Sequence, residues 1–123
     1  MNWTINTNID LDDITTSRMI RCENQLFAGG DKKAHTWKIT VNKGGAAASL
    51  SGYSAKMYLK TPDDDTEIVN GTIAANVVTF DFDEPAYEME GAYIVTARIV
   101  KTGEVVTLAA MTYDVRMTVP IST

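Results

Sequence analysis

The apolar positions of this chain recur at every second residue, and the three-to-four-residue spacing of an amphipathic helix is almost absent. Trp37, Ile39 and Val41 alternate with Thr36, Lys38, Thr40 and Asn42, the signature of a half-buried strand. Tyr53, Ala55, Met57 and Leu59 share one face, opposed by Ser54, Lys56, Tyr58 and Lys60. Val78, Phe80 and Phe82 face one way from a following strand, and Tyr93, Val95, Ala97 and Ile99 alternate with Ala92, Ile94, Thr96 and Arg98. A long final strand is expected from 105 to about 119. Weaker alternation sets Met19, Arg21 and Glu23 against Arg18, Ile20 and Cys22. At the N-terminus Trp3, Ile5, Ile9 and Leu11 occupy odd positions among Asn and Thr. This reads as an edge strand or an arm that lies on something else.

Turn chemistry divides these runs. Asn42-Lys43-Gly44-Gly45 ends one strand, with 46–49 expected as loop, and Thr61-Pro62-Asp63-Asp64-Asp65 stops another. Short strands at 66–69 and 72–75 are separated by Asn70-Gly71, a strong two-residue hairpin signal. Residues 84–88 read as a helical turn or crossover, and Thr102-Gly103-Glu104 as a tight turn. Seven to eight short strands with turns every 8–12 residues predict an all-β antiparallel sandwich. Gly91-Ala92-Tyr93 has the spacing of a tyrosine corner, whose hydroxyl bonds back to nearby backbone, and Trp37 is the expected core tryptophan.

At 123 residues the chain amounts to one domain, which buries roughly two-thirds of its unfolded surface. The expected division is an N-terminal arm or edge strand over 1–15 and a sandwich over 16–123. Net charge is −5 and the basic residues are scattered, which argues against a grip on nucleic acid. A single cysteine, Cys22, permits no internal disulfide and suits a reducing cytoplasm. The start of the chain, MNWTINTNIDLDD, lacks the basic and apolar regions of a signal peptide, and no apolar run is long enough for a membrane-spanning helix.

Candidate chemistry is sparse. Gly29-Gly30-Asp31-Lys32-Lys33 has glycines and lysines but not the phosphate-loop spacing, and a strand follows it instead of a helix. It is expected to turn the chain, with Lys32 and Lys33 available as contacts at a subunit boundary. Asp63, Asp64, Asp65 and Glu67 lack the full ligand series of a calcium loop and read as a solvated turn. His35 is the only histidine; at the start of a strand it is expected on the surface or rim, with Cys22 as a small core residue. No nucleophile elbow or zinc spacing accompanies them, so no enzyme, metal or cofactor is expected. Among the aromatics Trp3 stands out, because its segment has no evident place in a seven-strand core. An exposed apolar arm marks a protein interface, and on that view removal of residues 2–11 would leave the sandwich folded.

The order of several short motifs resembles the N-terminal immunoglobulin-like domain of the siphophage upper baseplate protein family. These are Phe27-Ala28-Gly29-Gly30-Asp31-Lys32, Leu50-Ser51-Gly52-Tyr53, Met57-Tyr58-Leu59-Lys60-Thr61-Pro62-Asp63, Gly91-Ala92-Tyr93 and the strand after Gly103. The similarity spans about residues 24–118. It implies an immunoglobulin-like sandwich and a docking domain, present in several copies, that contacts other virion proteins. It carries over no catalytic residues. The family domain continues into a helical linker and trimeric shaft, and the chain to Thr123 shows neither.

The functional expectation is a non-enzymatic virion protein, a baseplate or tail adaptor made in the bacterial host cytoplasm. Its partners would be tail, baseplate or head subunits and further copies of itself, without nucleic acid or membrane. Trp3, Ile5, Ile9 and Leu11 are the expected arm contacts. The rival readings are a head decoration or head-fibre component and a carbohydrate-binding module using exposed aromatics. A hydrolase, which would need His35, comes last.

Overall fold

A computed structural model describes residues 3–13, 19–21, 27–28, 35–83, 86–87 and 89–116. Cys22, the Gly29–Lys33 loop and the residues after 116 lie outside them. Eleven strands occur among the described residues: β1 (Trp3–Asp10), β2 (Met19–Arg21), β3 (Phe27–Ala28), β4 (His35–Lys43), β5 (Ala46–Ala47), β6 (Ser54–Lys60), β7 (Thr66–Asn70), β8 (Thr72–Ala74), β9 (Val77–Asp81), β10 (Gly91–Lys101) and β11 (Glu104–Arg116). One sheet has the order β1-β4-β9-β8, with β5 also on β4; the other has β2-β11-β10-β6-β7, with β3 also on β11. The two layers form the sandwich that the alternation predicts, in the strand arrangement of an immunoglobulin-like domain.

Packing follows the period-two rows. Trp37, Ile39 and Val41 of β4 and Val78 and Phe80 of β9 are buried from one sheet; Met57 and Leu59 of β6 and Tyr93, Val95, Ala97 and Ile99 of β10 are buried from the other. Trp37 is fully enclosed, as expected, with the Phe80 ring centroid 6.3 Å away. The tyrosine corner is also present. Tyr93 stacks on Tyr113 at 5.0 Å, and its hydroxyl accepts a bond from the Met89 N–H at 3.0 Å. Tyr113 Oη donates to the Ala86 carbonyl at 2.9 Å. Two core tyrosines thus fasten the segment that carries the chain from β9 to β10, each hydroxyl bonded to backbone there.

Four features depart from the expectation. Asn70-Gly71 is not a hairpin turn: β7 pairs with β6 in one sheet and β8 with β9 in the other, so the dipeptide crosses between layers. Gly71 donates its N–H to the Ala55 carbonyl at 3.0 Å, and an added Cβ would lie 2.6 Å from the Phe80 ring and 2.7 Å from the Thr79 carbonyl oxygen. The glycine is there for closeness of approach, not for a positive φ. The two-residue hairpin of this kind is instead Gly44-Gly45, with φ of 62° and 82°. It returns the chain so that β5, expected as loop, pairs with the end of β4.

The third departure lies in the sign of the pairing. β1 runs parallel to β4, and β2 and β3 run parallel to β11. Between β1 and β4 the chain visits the other sheet through β2 and β3, so it returns to the first sheet in its original direction. A tight hairpin could not do this. The fourth is a β-bulge in β11, where Ala97 faces Ala109 and Arg98 faces Thr107. The extra residue, Leu108, shifts the phase, so Leu108 and Ala109 are both buried in succession.

Candidate interaction surfaces

The N-terminal stripe is seated in the domain. β1 pairs with β4 along all eight of its residues, from Trp3 opposite His35 to Asp10 opposite Asn42. Ile9 is in the core, and Ile5 and Leu11 are half-buried against it. The indole Nε1–H of Trp37 donates to Thr7 Oγ1 at 2.9 Å, and the Leu11 N–H to the Asn42 carbonyl at 2.8 Å. Asp10 closes the strand: its carboxylate accepts the backbone N–H groups of Gly45 (2.8 Å), Asp12 (2.9 Å) and Gly44 (3.0 Å). Those bonds, Gly45 first, hold the carboxyl below its usual range against a small desolvation effect. Residues 3–11 are therefore built into the sheet and the core as well as peripheral. Trp3, 54% exposed, is the side chain of this stripe that the domain leaves uncovered. Along β1 no lysine or proline guards the outer edge, and a strand edge of this kind is open to pairing. Lys32 and Lys33 lie outside the described residues.

His35 corrects a second expectation. It is fully buried, not on the rim, with Nδ1 2.9 Å from the Tyr87 hydroxyl and its ring against Phe82 and Tyr87. The alternation of β4 is broken here, since His35, Thr36 and Trp37 are all buried. The crossover carrying Tyr87 covers the start of the strand, which β4's own sequence gives no sign of.

The other candidate groups are exposed. Asp63, Asp64 and Asp65 form the β6–β7 turn, where the Thr61 hydroxyl bonds Asp63 and Lys60 pairs with Asp64 at 2.9 Å. Among the described residues no cluster of His, Cys, Asp or Glu is arranged to hold a metal. Of the aromatics, Tyr87, Tyr93 and Tyr113 are buried. Tyr58 has the Arg98 guanidinium 5.1 Å from its ring centroid, and Tyr53 has the Lys101 ammonium at 4.5 Å. A hydrogen bond with Glu104 raises the Tyr53 hydroxyl and, with help from Lys101, lowers Glu104; Glu104 in turn raises Lys101. Beside Tyr53 an open depression of about 520 Å³ is walled by small residues such as Ala47, Ser49, Ser51, Gly52 and Asn76. Apart from the phenol of Tyr53 its wall has no titratable side chain, so it holds no acid–base pair.

The fold and its surfaces define an immunoglobulin-like β-sandwich whose prominent features are an unguarded edge strand and exposed sheet faces. Among solved structures it is similar to the N-terminal domain of phage TP901-1 ORF48. The TM-score is 0.57 at 10% identity, over 91% of this chain and 99% of that one. No family model matches the chain, and no curated protein does. At this identity the likeness is one of fold.

Proposed function

We propose that the chain is a non-enzymatic structural component of a tailed-phage or prophage particle, a baseplate or tail adaptor that holds other particle subunits. The observation that carries the reading is that nearly the whole of a phage protein's N-terminal domain superposes on nearly the whole of this chain. The motif order shared with the upper baseplate family supports it, as does a strand edge that carries no lysine or proline. On this reading residues 1–15 supply the docking edge, residues 16–123 carry it, and the protein resides in the virion after synthesis in the host cytoplasm. The attachment mode is addition of a partner's strand to the outer edge of β1, anchored by Trp3. Backbone hydrogen bonds would supply the affinity, and the indole the specificity.

The test is complementation of a particle lacking the protein. Trp3→Ala, and separately Asn6→Lys with Asn8→Lys, leave the strand paired with β4 but remove the anchor or guard the edge. Both variants should fold with unchanged circular dichroism and be missing from purified particles. Incorporation of both at wild-type levels would refute docking at β1.

A further inference from the structure

A second surface carries its own charge and apolar pattern. The outer face of the β7-β6-β10-β11 sheet is formed by alternate residues whose partners are set by the register. Ile68 lies opposite Tyr58, Lys60 opposite Ile94, Lys56 opposite Arg98 and Val100 opposite Val105. Of the four large apolar side chains exposed among the described residues, three stand here: Ile68 at 56%, Ile94 at 42% and Val105 at 63%. The face is also cationic. Among the described residues Lys56 and Arg98 project from it against a single carboxylate, Asp114, with Lys60 at its margin paired to Asp64, in a chain with 16 acidic and 11 basic residues. Apolar side chains set among like charges mark a contact surface with an acidic partner.

The same molecule carries the complement. Where β6 and β9 end and β10 begins, Asp63, Asp64, Asp65, Glu67, Asp81 and Glu90 are exposed. Contacts of Gly91 with Pro62 and of Phe82 with Tyr113 place these turns at one end of the sandwich. Among the described residues Lys60 and Arg116 are the basic ones at that end, and Lys60 is already paired with Asp64. We infer that copies of this chain dock head to side, the acidic end of one on the cationic apolar sheet face of the next. Because the two patches differ, the contact is heterologous. It closes into a ring or continues as a filament according to the rotation between copies. The β1 edge takes no part, so this surface stands apart from the particle-docking edge.

Sedimentation of the full chain tests it. At low salt the protein should sediment above its 13.5 kDa protomer mass and fall to it near 1 M salt, where the screening length is about 3 Å. Lys56→Glu with Arg98→Glu makes both patches acidic; Asp63→Lys with Asp65→Lys and Glu67→Lys makes both basic. Each variant alone should be monomeric, and an equimolar mixture should assemble again. Trp3→Ala should assemble like wild type. A wild-type protein that stays at the protomer mass overturns the inference, even if it binds some other acidic protein. So does either charge variant that assembles alone, or a mixture that stays monomeric. Loss of Trp3-dependent incorporation into particles would be unaffected by any of these results.

Discussion

Replacing Gly71 by alanine distinguishes a sheet-to-sheet crossing from a hairpin turn. In a hairpin of this type the glycine sits at positive φ, where asparagine is the best-tolerated substitute. In the structure φ is not positive, and the obstacle is contact: the new Cβ would meet two Phe80 ring carbons at 2.6 Å and the Thr79 carbonyl oxygen at 2.7 Å. Carbon pairs settle near 3.5–4.0 Å, so about 1 Å of movement is required, part of it from backbone. Overpacking of this kind costs about 1–3 kcal/mol. Loss of glycine's freedom in the unfolded chain offsets about 0.4–1 kcal/mol. The net destabilisation is about 1–2 kcal/mol, a fall in Tm on the order of 3–10 °C for a domain of this size.

Urea unfolding followed by tryptophan fluorescence reads the effect, since Trp37 is fully enclosed. Gly71→Asn should be at least as damaging as Gly71→Ala. Gly103→Asn is the control: that glycine has φ of 77° and nothing near its missing Cβ, so asparagine should cost less than about 1 kcal/mol. Adding Phe80→Leu to Gly71→Ala should cost less than the two single changes summed, because the ring is part of the clash. An unchanged or raised urea midpoint for Gly71→Ala would refute the steric reasoning.

Three further outcomes follow from the N-terminal strand. Deleting residues 2–11 removes buried Ile9 and the strand beside β4; loss of the isoleucine burial alone is worth about 1.5–3 kcal/mol. A urea midpoint equal to that of the full chain would contradict this. Thr7→Val takes the hydroxyl partner from the Trp37 indole, which should cost about 1–3 kcal/mol, seen as a lowered midpoint; stability at the wild-type level would mean the bond is idle. Asp10 titrates below 3.8 in the folded protein. Its contribution is therefore full above the unfolded value and lost as pH falls through the lower folded one. Carboxyl NMR should place its midpoint below 3.8, and Asp10→Asn should flatten the acid limb of the stability–pH curve; a midpoint at or above 3.8 would rule out the backbone cage.

The alternation of β4, β6, β9 and β10 was legible because a strand with one buried face must place its apolar residues at period two, whatever it packs against. The same rule exposed Trp37 and Tyr93 as core residues. The surface residues were less legible. Trp3 was visible as an apolar side chain near the start of the chain, but its distinction from Ile9 was not. That distinction depends on where β1 ends against β4.

What remained hidden shares one cause: each feature depends on a neighbour distant in sequence. Asn70-Gly71 has the local form of a hairpin, and only the assignment of β7 and β8 to opposite sheets makes it a crossing. His35 is polar by type and buried because Tyr87 arrives from 52 residues away. The apolar and cationic outer face arises from register, which brings Ile68, Tyr58, Ile94 and Arg98 together from three strands. Short-range periodicity is a property of the backbone and its two faces, so the sequence alone determined the long strands and the sandwich. Which strands are neighbours is a long-range choice, so only the tertiary structure decided the crossings, the buried histidine and the surfaces offered to partners.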